Sequence, residues 1–291
     1  MSQLVHFPKT IGRYGQPHAN HIPGMGGHAT HRLAMHRLAT LASQLAVAVI
    51  FAAVWQGLVQ LRLFDPFWVS TPMAVASAVV AEVQSPEVLA AIQTTLYETV
   101  VGFLISVLAG LASGFILFEV GWLYRAVRPY IALFNNLPRL VLAPIFVLYF
   151  GIGLTSRVAL VVSVVYIIVL LNTLAGLQAS ESDHLRLAKA LGAGRVATFT
   201  KFRLPAATPT IFVGLQVGLN FALVTAIVAE VITGGDGLGA LVTVYGFSYQ
   251  MDRVFAGILI MALLGTILSV LMQFAEDRIL SWRRYEFRGL H

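Results

Sequence analysis

With 291 residues, 58% of them hydrophobic and 11% charged, and a mean hydropathy of +0.81, the chain is too apolar for a soluble globular domain, in which about a quarter of residues carry charge. The net charge of +6 does not argue for nucleic acid, because basic residues in a multi-span protein collect in cytoplasmic loops. The absence of cysteine excludes a disulfide framework, a thiolate nucleophile and a thiolate metal site.

Residues 1–40 are polar and lack the early apolar core of a cleavable signal, so the first span is expected to remain in the protein as a retained segment. His6, His18, His21, His28, His31 and His36 lie here, but no carboxylate or cysteine accompanies them and no rigid element fixes their spacing. That pattern reads as a solvated or surface-lying tail rather than a metal site. Runs of about 20 apolar residues, the length that crosses a hydrocarbon core, then occur near 41–61, 97–118, 130–150, 157–177, 210–232 and 254–274. Between the first two, Thr71 is placed as an N-cap and Pro72 at the first helical position, which predicts a short helix that does not span.

Charge is scarce in these runs and therefore informative, since polar groups in spans are costly and by default functional. The third run carries Asn135, Asn136 and Arg139, with Pro138 and Pro144 expected to distort its helix. Arg139 is about 13 Å in from Tyr130 at the helical rise, near mid-membrane, where its fork can serve an anion in a translocation pathway or bond helix-end carbonyls. Glu98 and Glu230 sit at the outer ends of the second and fifth runs, either lining an external gate or lying at headgroup depth. Gly102, Gly110 and Gly114 in the second run permit close helix contact, within one subunit or between two.

Fifteen of the nineteen Lys and Arg residues fall on one side of this topology, which places both termini in the cytoplasm. The same bias puts the stretch from Ser180 to Pro205 on that side. Ser180 with Asp183 fits a capping box, and Leu185, Ala188 and Leu191 share a helical face away from Arg186 and Lys189. Gly192 and Gly194 permit a sharp turn, after which Val196, Phe199 and Phe202 alternate with Arg195, Lys201 and Arg203 until Leu204-Pro205 is expected to stop the helix. Periodicity alone leaves two uses open: an interfacial helix on anionic lipid, or a docking element for a soluble partner.

The spacing of Ala188, Gly192, Phe202 and Leu204-Pro205 resembles the EAA loop of binding-protein-dependent ATP-binding-cassette import permeases, with Arg186 at the Glu position and Leu187 at the first Ala. TPMAVASAV, FGIG at 150–153 and AEVITGGDGLGALV at 229–242 resemble the branch for nitrate, taurine and alkanesulfonates, over about residues 41–285. Glu98 departs from that branch, which often carries a basic residue there. The resemblance implies an all-α integral membrane protein with about six transmembrane helices and a cytoplasmic coupling-helix loop, the type I importer permease fold. It implies a tail at 1–40, a permease domain at 41–278 with the loop near 180–206, and a C-terminal tail at 279–291. ATPase coupling would fall on Arg186, Ala188, Lys189, Gly192, Arg195, Phe199, Phe202, Leu204 and Pro205, and the pathway on Asn135, Asn136, Arg139, Glu98 and Glu230. Implied partners are a second permease copy, two ATPase subunits, an external solute-binding protein touching the GGDGLG turn, and lipid, in a bacterial inner membrane. No G-x-x-x-x-G-K-[ST] occurs, so ATP and Mg would be bound by the partner ATPase, with no cofactor in this chain. The solute would be small and anionic. An ion-coupled secondary transporter and a passive channel are the alternatives, whereas an intramembrane enzyme lacks any H-E-x-x-H or G-x-S-x-G.

Overall fold

The computed structural model describes residues 26–65, 67–179 and 192–280. It is helical throughout, with no strand among the described residues. By contacts the chain divides into 1–55 and 56–291, and each unit is taken by itself. The first holds most of helix α1 (Gly26–Gln60), which begins inside the polar stretch 1–40 and carries His28, His31 and His36 where no rigid element was expected, and whose apolar stretch Ala42–Gln60 is almost wholly unburied.

In the second unit, α2 (Pro72–Val83) forms where its cap predicts. The Thr71 hydroxyl oxygen accepts from the Ala74 amide at 3.2 Å, and Pro72 opens the first turn, where a missing N–H costs nothing. Helix α3 (Pro86–Glu119) starts a full three turns before the apolar run does, because Ser85-Pro86 begins a helix as Thr71-Pro72 does.

The third run is not a straight span. Helix α4 (Gly121–Asn136) breaks at Leu137-Pro138, continues as a single 3₁₀ turn (Arg139–Leu142), and resumes as α5 (Ala143–Phe150) at 86° to α4. The cause is local: the residue before a proline is pushed out of the α region, and Leu137 is extended at φ −72°, ψ 130°.

Helices α6 (Leu154–Ala179) and α8 (Leu204–Thr233) form the core with α3. Between them lie α7 (Arg195–Thr198) and a π turn (Phe199–Arg203). The expected stop at Leu204-Pro205 does not occur: Arg195–Thr233 runs as one helical element. The π turn explains this, because it shifts the Leu204 amide onto the Phe199 carbonyl and lets the proline enter at the start of α8, where its missing N–H is least costly.

Glycine decides how tightly the core packs. Along α3, Gly102, Gly110 and Gly114 oppose Val161, Val169 and Thr173 of α6 in one constant register, so the two helices are parallel. A Cβ at Gly110 would lie 2.9 Å from the Val169 side chain. On the other face of α6, Gly176 and Gly214 oppose Ala207 and Asn172, which makes α8 antiparallel to it. The glycines named as a close-contact row thus serve packing inside the subunit. In lipid, where burial supplies little drive, such close approach and dispersion hold helices together. Buried hydroxyls are satisfied locally: Thr99, Ser106 and Thr173 each donate to the carbonyl four residues back at 2.7 Å. Helix α9 (Leu238–Phe247) and α10 (Met251–Ile279) complete the unit, sharing a cluster of Leu238, Ile260 and Leu264 with Val88 and Leu223.

Candidate functional site

The residues singled out fall into three places on this frame. At the end where α3 and α6 finish, the chain re-enters the described structure at Gly192, whose φ of +68° is the left-handed conformation that glycine takes freely. Gly194 is extended instead, at φ −66°, ψ 167°, and precedes α7. Arg186, Ala188 and Lys189, with the Ser180–Asp183 cap, lie outside the described residues. Beyond the turn the side chains grip the end of α3. Phe199 meets Phe115 edge to face with centroids 5.9 Å apart, the Arg203 guanidinium stands 4.6 Å over the Phe118 ring, and Arg195 reaches Glu119 at 3.4 Å. Phe202, Leu204 and Pro205 are half-buried, while Val196 is 77% exposed. Glu119, Arg195, Val196, Phe199 and Arg203 line an open cavity of about 560 Å³. A basic, partly apolar surface is thereby mounted on a helix that continues without interruption into a core span.

The second place is the break between α4 and α5. The Arg139 Nη2 donates to the Phe134 carbonyl at 2.9 Å and Nη1 to the Val164 carbonyl at 3.2 Å, so the guanidinium caps a broken helix and ties it to α6. The same residue lines a cavity of about 240 Å³ with Leu137, Pro138, Val164, Phe221 and Thr225. The two sequence expectations for Arg139 are therefore compatible: it bonds carbonyls and faces a cavity. Asn135 and Asn136 are exposed and do not line it. Phe221 and Thr225, one turn apart on α8, were not foreseen, because an apolar span gives no sign of which stripe borders a void.

The third place joins the starts of α3 and α6 to the end of α8. Glu98 and Glu230 are both 0% exposed, far from the water-facing position that the ends of their apolar runs suggest. Glu98 lies about 18 Å along α3 from its start, at the helical rise per residue. Its carboxylate pairs with Arg157 of α6, Nη1 to Oε1 2.6 Å, and Arg157 is 3% exposed. The contact is a buried ion pair. Glu230 accepts from the Thr95 hydroxyl at 2.7 Å and from the Gly239 amide at 2.7 Å, and the Leu238 amide donates to Thr95 at 3.0 Å. Gly237 packs its Cα against the Glu230 carboxylate, leaving no room for a side chain. Thus α3, α8 and α9 are pinned by a buried polar network with no exposed member. Neither Arg157 nor Thr95 was singled out from the sequence, where each lies at or just before the start of an apolar run.

A second polar knot joins α2, α9 and α10. Glu82 accepts from the Tyr245 hydroxyl at 2.8 Å and forms an ion pair with Arg253, Nε to Oε1 3.1 Å. Burial, and then the bond to Glu82, push the Tyr245 phenol up to about 12, so it stays a donor throughout the physiological range.

Long apolar helices, a broken apolar segment and a basic helical stretch continuous with a core span fit a membrane-embedded protein. The chain matches the family model described as binding-protein-dependent transport system inner membrane component over residues 102–281, and it belongs to that family, the permease subunits of ATP-binding-cassette importers. It is 27% identical to the taurine transport system permease protein TauC of Escherichia coli (strain K12), covering 80% of this chain and 86% of TauC. It is 26% identical to SsuC of Bacillus subtilis (strain 168), named for aliphatic sulfonates transport, over 82% of this chain and 87% of that protein. Among solved structures it is similar in fold to a chain of the MetNI methionine ABC transporter in an inward facing conformation, with TM-score 0.55 and 19% identity over 68% of this chain and 98% of that one. The chain is a multi-pass inner membrane protein of a family that works with an ATPase and a solute-binding protein.

Proposed function

We propose that this chain forms the translocation pathway for a small anionic solute and is driven through the segment from Gly192 to Pro205 by a separate ATPase that binds ATP and Mg. The observation that carries the reading is the unbroken helix from Arg195 to Thr233, preceded by the Gly192 turn. A rigid rod anchored on Phe115 and Phe118 of α3 moves the core when its free end is pushed, which a loose loop cannot do. Arg186, Ala188, Lys189, Arg195, Phe199 and Phe202 would meet the ATPase. Leu204 and Pro205 would carry the displacement into α8.

Both termini are cytoplasmic in this reading, residues 1–40 and 279–291 being tails, so the Glu98 end faces outward toward the solute-binding protein. Two copies work together within the lipid. Exposed amides at Asn135 and Asn136 in the middle of a span are costly against hydrocarbon, which favours a second copy or an aqueous path beside them. Arg139 supplies the cation for the solute, and Glu98 and Glu230 close the outer end. Relatives named for taurine and aliphatic sulfonates make a sulfonate the first anion to try.

The test uses Gly192→Pro and Pro205→Leu in complexes reconstituted with the ATPase. Proline holds φ near −65° and cannot occupy a position at φ +68°, so Gly192→Pro should release the ATPase during purification and abolish uptake. Pro205→Leu should keep the ATPase bound while lowering uptake. Full uptake with normal copurification in both variants would remove this segment from the coupling path.

A further inference from the structure

The break at α4–α5 leaves α5 as a short helix with a largely exposed surface, held to the core through Ala143 and Phe146 against Leu160 and Ala229. Its far end runs into the turn Gly151–Gly153, with φ +78° and +147° at the two glycines, before α6 begins. Arg157 sits one helical turn beyond. Its Nε donates to the Gly153 carbonyl at 3.3 Å while Nη1 faces Glu98 at 2.6 Å. Gly235, in the turn after α8, approaches the remaining arm so closely that a Cβ there would lie 3.1 Å from Nη2. One guanidinium therefore touches the α5–α6 turn, α3 and the α8–α9 turn together. The Glu98 carboxyl also meets that of Glu230, which holds the Thr95 hydroxyl and the Gly239 amide, so the guanidinium is tied through Glu98 into the buried network of α3, α8 and α9.

Burial of such a pair is poor evidence for stability, since well-packed apolar side chains would serve at least as well. Ionisable groups inside a span are instead expected to act. We infer that Glu98 is a positioning residue which, through Arg157, anchors the outer end of α5 to the core, so that α5 shifts only when α3, α6 and α8 move as a body. The inference rests on the proposed pathway and topology. In alternating access the outer end must stay shut while the other end opens, and a tether from the broken segment to the rigid three-helix core meets that need. The charge that this chain places at position 98 fits the tether, because a basic side chain there would repel Arg157.

The absence of cysteine allows a clean test. Leu148→Cys, on the exposed face of α5, is placed in the otherwise unchanged chain, reconstituted with ATPase and binding protein, and labelled with a membrane-impermeant maleimide with and without ATP plus vanadate. The expected labelling rates differ severalfold between the two states. Adding Glu98→Gln should bring the rates within about twofold of each other, while Glu98→Asp, which keeps the charge, should restore the difference. Glu98→Gln is expected to fold, because Arg157 remains within electrostatic range of Glu230. If it does not, Arg157→Lys serves: a single ammonium cannot span Glu98 and the Gly153 carbonyl, and the difference should shrink. A full nucleotide-dependent difference in Glu98→Gln overturns the anchor and leaves the permease reading standing. Labelling of the Leu148→Cys chain that ignores nucleotide, with no uptake, overturns both.

Discussion

Arg139 shows how one side chain can hold a fold and border a cavity. Two of its N–H groups are spent on the Phe134 and Val164 carbonyls freed or approached by the break, and the residue also borders the cavity that Phe221 and Thr225 help to line. A charge-assisted hydrogen bond is worth about 1.5–3 kcal/mol, so Arg139→Gln should lower anion uptake about ten- to hundredfold. A glutamine amide can still donate to one carbonyl, and copurification of the ATPase should be unchanged. Uptake at the parent rate would take Arg139 out of the solute's path. That Arg139 matters was legible from its depth in an apolar run; that Glu98 and Arg157 are partners was not. They lie 59 positions apart on different helices, and only the parallel register of α3 and α6 brings them together.

At the level of elements, the positions of the spans were readable because hydrocarbon thickness sets a length that composition must fill. The shapes were less so. Pro138 announced distortion, but its size, 86°, depends on Arg139 and α6 holding the far limb in place. Leu204-Pro205 looked like a stop by local rules, and the π turn before it, invisible to pattern, let the helix run through. The α3–α6 seam depends on absent side chains. Gly110→Leu should overpack Val169 and cost about 1–3 kcal/mol, seen as a lower melting temperature of the purified complex. Gly57→Ala, where a Cβ meets nothing within 4 Å, is the matched control and should melt like the parent. Equal melting of both variants would contradict the tight α3–α6 contact.

For the whole molecule, the proposed function strings the three places along one route. In it the Gly192 turn would receive motion at one end, the α3–α6–α8 core would carry it, the broken α4–α5 segment would border the solute, and the Thr95–Glu98–Arg157–Glu230 network would secure the other end. The family was legible in the Gly192 to Pro205 spacing, because helix-turn-helix geometry constrains residue type locally. The solute was not, since the proposed guanidinium site, set among mostly apolar walls, would accept many anions. The proposed function has the chain import an anion at the expense of a partner's ATP. Vesicles holding the permease and its ATPase, with ATP on the ATPase side and binding protein with radiolabelled sulfonate on the other, test it directly. The predicted result is accumulation above the external concentration that ceases when either ATP or binding protein is left out. Equilibration that proceeds equally without both would identify a passive pore and contradict the account.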